Sequence, residues 1–229
     1  MNARAEFIAI DLSVPFSMDM PKYDAPWFPN FECKEIRPEQ MSEANWHRRF
    51  TVLNLFAHNG THVESSDHAF RDGRTIDKIH LRNFIGYPII VDLMGIPERT
   101  EITVDMVEPF LQDRDIQSDS IILIRTGYDD KRWGTPEFWN DSPWLSAEAA
   151  KRLADTGAGF FGLDFQTEKP KEKEFIVHKT LLSGDAVLCE YLFNLDQATD
   201  DTLFMALPIS IENTEAAPVR AILLKNGSR

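Results

Sequence analysis

Residues 58–68 read HNGTHVESSDH, from His58 to His68, and place three of the chain's six histidines and two acids within eleven residues, directly after the apolar run TVLNLFA at 51–57. His58, Gly60, His62, Glu64, Ser66 and His68 share one parity, so an extended strand would set them all on one face. A straight strand cannot gather them: positions four apart lie roughly 13 Å from each other, beyond the reach of two imidazoles on one cation. The chain therefore has to bend between His58 and His62. Asn59-Gly60 permits this, because both residue types tolerate positive φ. With the bend, His58, His62 and Glu64 offer two nitrogens and a carboxylate, a donor set suited to zinc or manganese. A helix would also align His58 with His62, but Gly60, the β-branched Thr61 and Val63, and Ser65-Ser66 are poor helix formers. The competing reading is a turn that is merely polar, since histidines four apart also arise by chance.

Composition narrows the setting. At 229 residues and 43% hydrophobic, the chain is long enough to bury a core, and one domain over residues 1–229 is expected. Against 37 acidic residues stand 24 basic ones, and the net charge of -13 repels phosphate backbones and anionic lipid. A small-molecule substrate or a second subunit is the expected partner, not nucleic acid or a membrane. The N-terminal apolar run is too short for a secretory segment, and no stretch approaches the length that crosses a bilayer. Two cysteines, Cys33 and Cys189, show no CxxC spacing and imply neither a disulfide framework nor a cysteine-ligated zinc. A soluble, cytoplasmic protein is expected.

Strand signals fall at residues 7–12, 51–56, 89–93, 120–125, 159–163, 186–190, 203–208 and 219–224. Helix signals fall at 103–111 and at 146–154, where Ser146 supplies an N-cap and Gly157 a stop. The pattern predicts an α/β fold with a mixed sheet and flanking helices. The run EKPKEKE at 168–174 carries proline and both signs of charge and predicts a solvated loop.

HNGTHVESSDH resembles the HxGTHxDxPxH signature of the cyclase family of metal-dependent hydrolases, whose members include bacterial kynurenine formamidase and isatin hydrolase. The likeness runs along the chain in order: IDLS at 10–13, FIGYPIIVDL at 84–93, ILIRTGYDDKRWG at 122–134, FGLDF at 161–165, HKTLLSGDAVLCEYLFNL at 178–195 and ALPISIENTEAAPVRAILL at 206–224. The resemblance implies a swivelling β/β/α-type fold, and a homodimer or homotetramer whose active site is partly walled by the neighbouring subunit. It implies metal ligands at His58, His62 and Glu64, a catalytic acid or base at His68, and, in two-metal members, a second set at His178 and Glu190.

The implied cofactor is one or two divalent ions, zinc or manganese. The implied activity is hydrolysis of a carbon–nitrogen bond in a small amide, formamide or cyclic amide by a metal-bound hydroxide, arylformamidase-like, with His68 moving the proton. A lactone hydrolase, the dehydrating cyclase that names the family, and a binding protein without turnover are the alternatives. Asp164, inside FGLDF, and Trp27, in the proline-rich stretch PKYDAPWFPN, are candidate substrate-binding residues. Thr61 and Ser66 are candidates for hydrogen bonds that support the ligands. His47 and His80 match no part of the pattern and are expected to be structural or at the surface. Three departures stand out: Glu64 occupies the aspartate position, Ser66 the proline position, and Phe165-Gln166 stands where small hydroxyl residues usually follow the FGLDF aspartate, so the pocket floor is expected to differ from that of kynurenine formamidase.

Overall fold

The computed structural model describes residues 7–37, 42–43 and 46–227, and for 42–43 and 46–47 the backbone alone. The side chain of His47 therefore lies outside the described residues. In chain order the strands are β1 (Phe7–Asp11), β2 (Glu32–Ile36), β3 (Ser42–Glu43), β4 (Trp46–His47), β5 (Phe50–Asn54), β6 (His62–Glu64), β7 (Ile85–Gly86), β8 (Pro88–Asp92), β9 (Glu101–Ile102), β10 (Ile121–Arg125), β11 (Trp144–Leu145), β12 (Phe160–Leu163), β13 (Val187–Glu190), β14 (Leu203–Met205), β15 (Ala216–Pro218) and β16 (Ile222–Asn226). The helices are α1 (Val104–Leu111), α2 (Tyr128–Arg132), α3 (Ala147–Ala154) and α4 (Ile176–Leu182).

The central sheet has the order β15-β6-β13-β12-β10-β8. Its β8, β10, β12 and β13 run parallel, β6 pairs antiparallel with β13, and β15 pairs antiparallel with β6 at the edge. Strands such as IILIR and FFGL are apolar at every position but one because both faces of this sheet are covered. Alternation along β10 shows how. Ile122 and Ile124 join Val107, Leu153 and Leu181 in a core under the helices, whereas Ile121 and Leu123 join Phe84, Phe204 and Leu223 in a second core. That second core is closed by the antiparallel sheet β1-β16-β14-β7. The result is sheet on sheet on helices, the three layers expected.

Both expected helices form, and the Ser146 hydroxyl accepts a hydrogen bond from the Ala149 N–H at the start of α3. α4 and the short α2 carried no clear signal. The strand expected at 51–56 ends at Asn54 and belongs not to the central sheet but to a separate two-stranded ribbon, β2-β5. All ten residues of that ribbon are exposed, Phe50, Val52 and Leu53 among them. Cys33 and Cys189 are both free. Among the described residues no helix is long and apolar enough to cross a membrane.

One buried acid stands apart from the packing logic. Asp129, in the first turn of α2, is fully buried, and neither carboxylate oxygen has a hydrogen-bond partner among the described residues. Burial, then the neighbouring Asp164, Asp130 and Glu190 carboxylates, push its pKa well above the ordinary aspartate value. A folded-state pKa above the unfolded one contributes stability at low pH that is lost as pH rises through the folded value. Asp129→Asn, which mimics the neutral acid, should therefore raise the melting temperature at pH 8 while leaving it nearly unchanged at pH 4. The shift is on the order of 2–4 °C per kcal/mol for a chain of this size. Thermal unfolding of chelator-treated wild type and variant at the two pH values provides the comparison; equal melting temperatures at pH 8 would refute the assignment.

Candidate metal centre

The site is assembled on the three-residue strand β6. It lies between β13 and β15, with His62 opposite Glu190 on one side and opposite Pro218 on the other. The period of two sends Val63 into the sheet-on-sheet core and His62 and Glu64 to the other face, where Glu190 also points. Upstream, the chain turns at residues 57–61. Gly60 adopts φ +58, a conformation that favours glycine, and a Cβ there would crowd the Met20 and Val14 side chains at 3.0 Å. This turn carries His58 back over β6, so that its ring centroid is 5.0 Å from that of His62. Downstream, a 3-10 turn at Ser66–His68 brings the His68 ring to 4.6 Å from His58. α4 delivers His178 from the helix layer.

These groups converge on Glu64. Its Oε1 is 2.8 Å from His58 Nδ1, 3.2 Å from His62 Nε2 and 3.8 Å from His68 Nε2. Its Oε2 is 3.5 Å from His178 Nε2 and has no hydrogen-bond partner, though buried. Glu190 reaches His62 Nε2 and His178 Nε2, each at 3.6 Å, and also accepts from the Thr167 hydroxyl. Among the described residues two groups of three donor atoms lie close enough to hold a cation, His58 with Glu64 and His68, and His62 with Glu64 and Glu190, sharing Glu64 between them. The outward nitrogens are also engaged. His62 Nδ1 donates to the Gly60 carbonyl at 2.8 Å, His58 Nε2 lies 3.1 Å from Glu215 Oε1, and His178 Nδ1 lies 2.9 Å from Glu168 Oε1.

Such a donor set fits a divalent cation. Imidazoles and carboxylates face one another with one oxygen of Glu64 left without a partner, as a shared metal ligand requires. In the protein without metal, protons carry the positive charge instead. Burial works against charging His58, but the carboxylates of Glu215 and Glu64 on its two nitrogens outweigh this and hold its pKa up at about 9. For His178 burial is again outweighed, by Glu64, Glu168 and Glu190, and the value is about 10. Glu64 responds in kind: burial favours its neutral form, yet His178, His58 and His62 hold its pKa well below the ordinary range. His68 differs, because burial dominates and lowers its pKa, leaving a neutral imidazole.

A cavity of about 580 Å³ opens above these groups. Tyr23, Trp27, Phe28, Phe56 and Phe175 form its aromatic walls. The 168–174 run is a loop as expected, but it is not simply solvated. Glu168, Lys169, Lys171, Glu172 and Lys173 line the cavity, and Glu168 is tied to His178. Trp27 lies on the cavity wall near the surface.

Asp164 does not. Its carboxylate is buried and accepts from the Thr126 and Gly127 N–H groups and the Thr126 hydroxyl, giving acceptors to a chain turning at the end of β10. It is a structural acceptor beneath the site and not part of the cavity lining. The Thr61 and Ser66 hydroxyls make no hydrogen bond to the candidate metal-holding side chains among the described residues. The Thr61 hydroxyl donates to the Tyr191 carbonyl, and the Ser66 hydroxyl donates to Asp185 while accepting from the Arg74 N–H. Those bonds pin the loop that a proline would otherwise stiffen. His80 is exposed, with Nδ1 accepting from Arg82. Glu168 and Glu215 were not legible as site residues, since one sits in a charged run and the other lies 157 residues from His58.

The family described as "Putative cyclase" matches residues 10–168. The kynurenine formamidase of Bacillus anthracis is 26% identical over 218 residues, 93% of this chain and 96% of that protein. The kynurenine formamidase of Bacillus cytotoxicus is 25% identical over 223 residues, 93% and 96% of the two chains. Among solved structures, isatin hydrolase A from Ralstonia solanacearum superposes with a TM-score of 0.79 at 22% identity, over 95% of this chain and 92% of that one. Isatin hydrolase A from Labrenzia aggregata bound to benzyl benzoate gives 0.81 at 21% identity, over 96% and 94%. These two likenesses establish the fold.

The raised values at His58 and His178 carry a pH signature. Both lie above the unfolded value near 6.5, so their ion pairs stabilise the metal-free fold fully below that pH and are lost as pH rises through about 9 and 10. Chelator-treated protein should therefore melt progressively lower from pH 7 to pH 10. His178→Asn should melt lower at pH 7 and show a flatter decline. A wild-type melting temperature constant across that range would contradict the charge assignment.

Proposed function

The chain belongs to the cyclase family, and we propose that within it this protein is a divalent-metal-dependent amidohydrolase that cleaves a carbon–nitrogen bond in a small amide, formamide or cyclic amide. One observation carries the reading. Three histidines each spend one nitrogen on an outer acceptor and turn the other toward Glu64 or Glu190, on the floor of an aromatic-walled cavity. His58, His62, Glu64, His178 and Glu190 would hold one or two ions, zinc or manganese. A divalent ion bound there polarises a carbonyl and lowers the pKa of water.

The protein's own residues supply the rest. His68 Nε2, neutral at pH 7 and beside the ligand set, takes a proton from the attacking water and returns it to the leaving nitrogen. The walls from Tyr23 to Phe28, with Phe56 and Phe175, favour a flat, apolar substituent and exclude water around the scissile bond. Similarity to proteins named kynurenine formamidase and isatin hydrolase agrees with such a substrate. Two free cysteines, one of them exposed, support a reducing, cytoplasmic setting.

The reading includes a homo-oligomer. Isolated two-stranded ribbons are marginal in water, yet β2-β5 exposes Val52, Leu53 and Phe50 and leads straight into Phe56 and His58. A second copy covering it would sit at the cavity mouth.

Metal analysis with an aryl formamide assay tests the activity. The protein as purified should carry a divalent ion, lose turnover on chelation and regain it with zinc or manganese. His62→Ala should lose both metal and turnover, whereas His68→Gln should keep the metal and lose about 10²–10⁴ in kcat. A metal-free protein whose His62→Ala variant behaves as wild type would end the hydrolase reading, and tight ligand binding without turnover would favour a binding protein. For the assembly, light scattering should give a mass above the monomer, and Val52→Lys combined with Leu53→Glu should reduce it.

A further inference from the structure

We propose that Glu215 and Glu168 are positioning residues, each bracing the ring of one metal-holding histidine, Glu215 for His58 and Glu168 for His178. The inference rests on the metal-dependent reading above and adds two residues to it.

An imidazole ligates through one nitrogen and must present it deprotonated, so the other nitrogen carries the proton and needs an acceptor. His62 has a backbone acceptor, the Gly60 carbonyl, which no side-chain substitution can remove. The other two rely on carboxylates, and they do so in opposite senses. His58 turns Nε2 out to Glu215 at 3.1 Å and Nδ1 in to Glu64 at 2.8 Å. His178 turns Nδ1 out to Glu168 at 2.9 Å and Nε2 in to Glu64 and Glu190.

Each brace is itself held. The Glu215 carbonyl accepts from both the backbone N–H and the hydroxyl of Ser65, each at 2.8 Å. The next residue, Ala216, pairs with Glu64 across β15 and β6, so the backbone of Glu215 is locked beside the strand that carries the ligands. Glu168 is fixed differently: the same Oε1 that meets the His178 ring also accepts from the His178 backbone N–H at 2.9 Å. One carboxylate oxygen thus ties ring and backbone of a single residue. Glu168 is 12% exposed and Glu215 35%, so water competes more for the second brace.

Outer acceptors of metal-bound histidines are commonly worth 10–100-fold in metal affinity. Chelator-stripped wild type, Glu215→Gln, Glu215→Ala, Glu168→Gln and Glu168→Ala are titrated with Zn²⁺ against a chromogenic chelator, and each metal-free protein is melted in parallel. The expected result is a loss of about 10–100-fold for each alanine variant, smaller for each glutamine variant, and larger at 168 than at 215. A merely structural role would lower the melting temperature and leave the affinity unmoved, which would overturn the proposal. Disappearance of a whole ion from the stoichiometry in Glu215→Ala or Glu168→Ala would make that residue a ligand and would also overturn it. Should an alanine variant fail to fold, its glutamine counterpart carries the comparison. Failure of wild type to bind Zn²⁺ removes the metal reading itself, whereas tight wild-type binding with unaltered variants removes only the bracing roles.

Discussion

A carboxylate sits at 1% exposure on a strand of the central sheet, and the local structure around Glu64 is arranged so that this charge is tolerated. An unpaired ionised carboxylate in that position would cost several kcal/mol, and the group would instead take up a proton. The protein surrounds it with imidazoles from three separate segments: a turn before β6, β6 itself with the turn after it, and α4 from the opposite layer. With His58 and His178 protonated, the metal-free site offsets the charges of Glu64 and Glu190, and a divalent cation bound there would take over the same electrostatic role.

That arrangement explains why β6 needs only three residues. Pairing to β13 and β15 on both sides fixes its backbone, and the register sets Glu190 opposite His62. Alternation then sorts the side chains without further control, with Val63 into the sheet-on-sheet core and His62 and Glu64 toward the chemistry. The rigid floor contrasts with the upper walls, where Tyr23 to Phe28 and residues 168–175 are loops. The candidate donors are held by sheet register, while the cavity walls are left to loops, which can differ between proteins of one fold.

Much of this was legible beforehand, for physical reasons that can be named. Shared parity and Asn59-Gly60 required a bend, and Gly60 at φ +58 supplies it. Runs such as IILIR announced buried strands, and Ser146 announced α3. Other signals misled. TVLNLFA has the composition of a core strand, yet most of it lies in an exposed ribbon, because composition reports what a strand could bury and not which sheet it joins. EKPKEKE is a loop whose lysines are exposed at the cavity lining, but Glu168 folds inward to His178. Asp164 belongs to a segment close to the site in sequence pattern, yet its carboxylate is used up by the N–H groups of Thr126 and Gly127.

The sequence by itself determined the donor types, the bend that lets neighbours in the chain converge, and the alternation that builds two cores on one sheet. These are local properties, set by residue chemistry, parity and backbone freedom over a dozen positions or fewer. Tertiary structure decided how distant groups meet them: His178 and Glu190, to which only the family resemblance pointed, facing Glu64; Glu168 and Glu215 behind the histidines; and the aromatic walls of the cavity. Contacts across 157 residues depend on sheet order and layer packing, and no local pattern encodes them.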